Sequence, residues 1–174
     1  MNKRFVLISA ILMLVGFSAN ASEIAVLDVE KIVKESSAMR DIQSKVTKKQ
    51  TDYQKDVDKK QKALEADQKR IEGKKNVLTK EALEKEVTEF DKKVEDLKQF
   101  VDSKQNVLKK ASLDAMSKVN DKIKDIISEI AKERKIDVII PAAQSLYYEE
   151  SLDISAEVLE KLNKKVTKVD VKFE

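Results

Sequence analysis

Between Asn20 and Pro141 the chain holds one residue that ordinarily interrupts a helix, Gly73. The run of roughly one hundred residues around it, without proline and almost without turn chemistry, is committed to helix. Its side chains agree: 39% of the residues are charged and only 5% aromatic, which excludes a large aromatic-rich core and favours a coiled coil or long exposed helices. Disorder is the competing reading of so polar a composition. It fails where apolar residues recur at helical spacing.

In the first half of the run, Ile42, Val46, Tyr53, Val57, Leu64 and Ile71 fall on one stripe, interrupted by Lys60 and Asp67. In the second half, Leu83, Val87, Phe90, Val94, Leu97 and Val101 alternate four and three residues apart, the spacing of a coiled-coil seam. The register then slips before Leu108, Met116, Val119, Ile123, Ile126 and Ile130, as expected where a helix exchanges one partner for another. Gly73 follows the last apolar residue of the first stripe and is flanked by Lys69, Arg70, Lys74 and Lys75. That is the chemistry of a helix C-terminus with a left-handed glycine. A new start follows, with Thr79 as N-cap, Glu81 in the first turn and Leu78 placed to staple onto Leu83. The spacing therefore predicts an antiparallel hairpin with its tip near Gly73, in preference to one unbroken helix.

The ends differ from the middle. Lys3 and Arg4 precede an apolar run from Phe5 to Phe17 and an Ala19-Asn20-Ala21 site, so residues 1–21 read as a secretory signal peptide cleaved after Ala21. Residues 24–29 (IAVLDV), 136–141 (IDVIIP) and 145–150 (SLYYEE) read as strands, and Ser155 as the N-cap of a final helix. Val169, Val171 and Phe173 alternate, as an edge strand or a frayed tail. The expected division is a helical arm over 45–110 and a β-rich body from 22–44 and 111–174. Three short strands make a marginal unit on their own. The body is thus expected to be completed by self-association, with Ile24, Val26, Val138 and Ile140 in the shared core. The arm carries 19 Lys/Arg against 14 Asp/Glu, net +5, while the rest of the mature chain is net −4.

The chain has no Cys and no His, which removes thiolate nucleophiles, most zinc sites and the commonest general base. Its carboxylates are spaced as helix surface, and Asp56 and Asp58 lack the glycine of a calcium loop. No catalytic site, metal or cofactor is expected. Nucleic-acid binding is disfavoured by the signal peptide and by a nearly neutral mature chain. The cluster Lys69, Arg70, Lys74 and Lys75 reads first as a capped, solvated turn and, functionally, as a contact for lipid headgroups or client. Phe90 lies in the seam; Phe100 lies off it and is offered to client.

IAVLDVEKIVKES near the start, the Lys/Glu hairpin, and IDVIIPAAQSLYYEESLDISAEVLEKL near the end together resemble the Skp (OmpH-like) periplasmic chaperone family, over the mature chain to about Asn163. The resemblance implies an α+β, mostly α fold: a long antiparallel helical hairpin arm projecting from a small β body completed by trimerisation, jellyfish-like in outline. It implies a periplasmic, ATP-independent holdase whose three arms enclose unfolded outer-membrane proteins, with lipopolysaccharide or phospholipid as a further surface contact. The alternative is a structural or adaptor coiled coil of the cell envelope, bound to a folded partner.

Overall fold

A computed structural model of the chain describes residues 22–174. The signal peptide expected over residues 1–21 lies outside the described residues. The element order is β1 (Glu23–Leu27), α1 (Val29–Glu35), α2 (Ser37–Lys74), α3 (Lys80–Arg134), β2 (Ile136–Pro141) and α4 (Ser155–Lys165), with short 3-10 turns at Ala142–Gln144 and Glu150–Leu152.

The hairpin is present. At 1.5 Å per residue, the 38 residues of α2 and 55 of α3 extend about 57 Å and about 80 Å. Thr79 caps α3 as expected, its side chain accepting from the Ala82 N–H. Gly73 does not play its expected part. It lies inside the last turn of α2 with negative φ, and Lys75 caps that helix in right-handed geometry. The expected left-handed cap is found instead at the other end of α3, where Lys135 has φ 57° and donates to Ala131 O. Gly73 is exposed, and a Cβ there would meet nothing within 4 Å. The reversal is made by five residues beyond it, so the glycine marks the tip without building it.

Core and arm separate cleanly. No described residue between Ile42 and Ala111 is buried. From Ala111 onward α3 turns Ala115, Val119, Ile123, Ile126 and Ile130 inward. They pack with Ile32, Ile42, Val158 and Leu162 from α1, α2 and α4. The register slip in the sequence thus precedes the stretch where α3, still beside the first turns of α2, gains α1 and α4 as further partners.

Polar caps tie the body together. Asp28 caps α1 through the Lys31 N–H, and its own N–H donates to the Ser155 hydroxyl at 2.7 Å. Fully buried Ser36 ends α1 and caps α2 through the Met39 N–H at 3.0 Å. The Asn163 side-chain oxygen accepts from both the N–H and the hydroxyl of Ser37. Ser155 is the first residue of α4 and not its N-cap; Ile154 holds that position, and the Asp153 carboxylate accepts the Ser155 N–H at 2.7 Å.

β1 and β2 pair in parallel, with Ile24 opposite Val138 and Val26 opposite Ile140. The far edge of β1 is taken by a bridge to Asp153, where Ile154 N–H donates to Val26 O. SLYYEE is not a strand, contrary to expectation. Pro141 ends β2, a 3-10 turn follows, and the Ser145 hydroxyl donates to Tyr147 O at 2.8 Å. With β1 paired on both sides, that segment has only the outer edge of β2 to join, and its local bonds turn it away.

The tail is neither an edge strand nor frayed. Beyond α4 it runs extended along α2, with Val169 buried, Val171 and Phe173 half-buried, and Lys168, Asp170, Lys172 and Glu174 exposed. The Val169 N–H donates to Asp41 Oδ2 at 2.8 Å, and Lys45 Nζ donates to Val169 O at 2.6 Å.

Candidate functional site

Two surfaces carry side chains that folding leaves available: the arm and the outer face of the small sheet. Along the arm, α2 and α3 cover each other's seam only in part. Leu64, Leu97 and Phe90 are half-buried, whereas Val87 and Val94, one heptad apart on α3, stay 41% and 44% exposed. An open cleft of about 240 Å³ separates the helices, with Ala63, Leu64 and Leu97 as its apolar wall and Lys60, Lys93 and Asp96 around it. The arm offers intermittent apolar contact within a charged surface.

Lys60 and Asp67, which break the seam in the sequence, each have a partner across the hairpin. Asp67 pairs with Lys93 of α3 and, at 3.4 Å, with Arg70, which reaches Glu86 at 2.7 Å. The Lys93 ammonium holds the Asp67 carboxyl below its usual range, and the Glu86 carboxylate raises the Arg70 guanidinium further. Lys60 Nζ stands 5.0 Å from the Phe100 ring centroid, and Lys104 Nζ 5.2 Å. Such cation–π contacts are worth about 0.5–1 kcal/mol at exposed positions.

The tip cluster therefore divides. Lys69, Lys74 and Lys75 are exposed, while Arg70 is used in closing the hairpin. Phe100 is half-buried beneath two ammonium groups. On the sheet, Ile24 and Val138 face outward as a cross-strand pair at 42% and 49% exposure. Val26 is buried within its own chain, and Ile140 is half-buried. Leu146 and Tyr147 add further exposed apolar surface just beyond β2.

Sequence reasoning passed over Asp41 and Lys45. The signal was present as an Asp–Lys pair four residues apart on α2 and an alternating tail, but nothing local joins the two. Asp41 is held below the usual carboxylate range, first by its hydrogen bond from Lys45, then by the Val169 N–H, with Lys168 adding a nearby positive charge. A depressed folded-state pKa contributes stability that is complete above the unfolded value, about 3.9, and is lost as pH falls through the folded one. Protease sensitivity of the tail is accordingly expected to be flat from pH 7 to pH 5 and to rise below about pH 4. Release already at pH 6 would show that another group holds it.

Comparison with known proteins agrees with this architecture. The family described as "Outer membrane protein (OmpH-like)" matches residues 23–162. An uncharacterized protein of Aquifex aeolicus (strain VF5) is 32% identical over 162 residues, 93% of this chain and 97% of that one. A crystal structure from Caulobacter crescentus CB15, described as that of an OmpH-like outer membrane chaperone, has the same fold, with a TM-score of 0.83 at 15% identity, covering 88% of this chain and 91% of that one. The hairpin arm standing on a two-stranded body is that fold, and the chain belongs to the OmpH-like outer membrane protein family.

Proposed function

We propose that the protein is an ATP-independent periplasmic holdase for unfolded outer-membrane proteins, acting as a homotrimer after removal of residues 1–21. The observation that carries this reading is the arm's half-covered seam, with Val87 and Val94 exposed among charged neighbours. A holdase must bind many sequences weakly. Scattered apolar contacts on a long helix permit that, where one shaped pocket would not. The arm, taken as residues 45–110 with net charge +5, attracts acidic unfolded chains over about 10 Å at 0.1 M salt. Release then follows when the client reaches a more stable folded state, without nucleotide.

The trimer rests on the outer face of the sheet. Ile24, Val138 and Leu146 leave apolar surface beside a strand edge that no other described residue pairs, which proteins normally cover or protect. Lys69, Lys74 and Lys75, projecting at the tip, supply the contact for anionic lipid headgroups or client.

The reading is tested by diluting a urea-unfolded β-barrel protein into the chain beginning at Ser22 and following turbidity and sedimentation. Aggregation is expected to disappear as a trimer takes up the mass of one client. A discrete oligomer that leaves the client to aggregate would instead indicate an envelope adaptor with a folded partner.

A further inference from the structure

The tail lies on the root of the arm in an unusual way. Asp41, Lys45 and Lys49 are spaced four residues apart and so share one face of α2. Asp41 and Lys45 take both backbone polar groups of a single residue: the carboxylate accepts the Val169 N–H and the ammonium donates to the Val169 carbonyl. Lys49 Nζ lies 5.9 Å from the Phe173 ring centroid. On the other side, Asp170 and Lys172 border a cleft of about 290 Å³ whose far wall includes Ala111, Ala115 and Lys118 of α3.

Recognition of this kind reads conformation before sequence. The hydrogen bonds go to the main chain, which every residue but proline presents in the same way. The side-chain requirement is only that alternate residues be apolar, as Val169, Val171 and Phe173 are. In strand-addition complexes the same division holds, main-chain bonds supplying affinity and alternate side chains specificity. Strands of a membrane-spanning β-barrel carry that period-two apolar pattern, with aromatic residues near their ends.

We propose that the groove between α2 and α3 at the root of the arm is a binding site for one extended, alternately apolar strand of an unfolded β-barrel client, and that the chain's own tail occupies it as an internal competitor. This rests on the holdase reading and adds to it a defined site at the base of the arm, with a tail that must be displaced. An empty chaperone keeps the groove's apolar surface covered, and a client strand frees the tail only by fitting its place.

The test uses a labelled ten-residue peptide with Val, Leu or Phe at alternate positions and Thr or Ser between them. A control peptide has the same composition with its apolar residues in one block. In the unaltered chain from Ser22, saturating alternating peptide is expected to speed amide exchange of residues 167–173 at least about fivefold, because the tail leaves its seat. Substituting Val169→Asp expels the tail and is expected to tighten peptide binding about tenfold, the gain expected when an internal competitor holds nine-tenths of the sites. Adding Lys45→Ala to that variant should abolish the gain. The block peptide should do none of this.

Tail exchange unmoved by saturating alternating peptide, or equal responses to both peptides, overturns the proposal. Because exchange is read on the unaltered chain, either result is decisive even if Val169→Asp loosens the body. Aggregation suppression is measured on the same sample. A chain that suppresses aggregation while its tail ignores the peptide keeps the holdase reading and loses the groove. A tail that is displaced while the client still aggregates keeps the groove and loses the holdase reading.

Discussion

Replacing Val138 by aspartate is expected to dissociate the protein into monomers that remain folded. In the single chain Val138 lies on the outer face of β2, 49% exposed and opposite the similarly exposed Ile24, so a carboxylate there keeps its water and costs little. In an assembly that covers this face, the same carboxylate is desolvated once per subunit with no cation to meet it. The penalty for burying an unpaired charge is several kcal/mol per ion, and the proposed trimer would repeat it at every contact. Sedimentation equilibrium at micromolar concentration should report one-third of the original mass, with the helical circular dichroism unchanged. Retention of the original mass would place the interface elsewhere. Loss of helical signal together with mass would show that Val138 supports the chain's own fold.

Ile126→Ala is the second substitution with a large expected effect. Ile126 is fully buried where α3 passes through the body, among Ile32, Val119, Ile130 and Val158. Deleting three carbons from such a site removes their transfer energy and leaves a cavity, together costing about 3 kcal/mol. At 2–4 °C per kcal/mol for a chain of this size, the melting temperature should fall by about 10 °C. Val94→Ala on the arm is the informative control. Val94 is 44% exposed on a seam covered only in part, and truncation there should change stability by less than about 0.5 kcal/mol. Comparable losses from the two would mean that the arm is packed as tightly as the body, and the loose, adaptable contact surface proposed for it would have no basis.

This contrast between arm and body is only partly legible in the sequence. The two helices, the reversal after residue 73 and the Thr79 cap all follow from features a few residues wide, and these appear where the sequence places them. The register slip after Val101 reads as an exchange of partners, whereas the burial that begins at Ala111 adds α1 and α4 to an α2 contact that α3 keeps. Gly73 misleads because a glycine permits left-handed geometry without requiring it. The chain uses that geometry at Lys135 instead, at a cost of about 1–2 kcal/mol, and the Lys135 N–H closes the last turn of α3 on Ala131 O. SLYYEE misleads because strand propensity describes fitness for a sheet and not the presence of an edge to join.

The candidate sites divide in the same manner. Lys60 and Asp67 look like defects in a seam when α2 is read alone. In the folded hairpin one covers Phe100 and the other pairs with Lys93. Asp41 and Lys45 look like an ordinary helix-surface pair until the tail, more than 120 residues later, lies down between them.

By itself, then, the sequence determined the two long helices, the Thr79 cap and the hairpin they form. Each of these is set by periodicity or capping chemistry within one or two turns. Only the tertiary structure decided what Lys60, Asp67, Asp41 and the tail are for, and which strand candidate found a partner. Those outcomes depend on which distant segments the closed hairpin brings into register, and a polar side chain carries the same local signature whether its partner is water or a residue on another element.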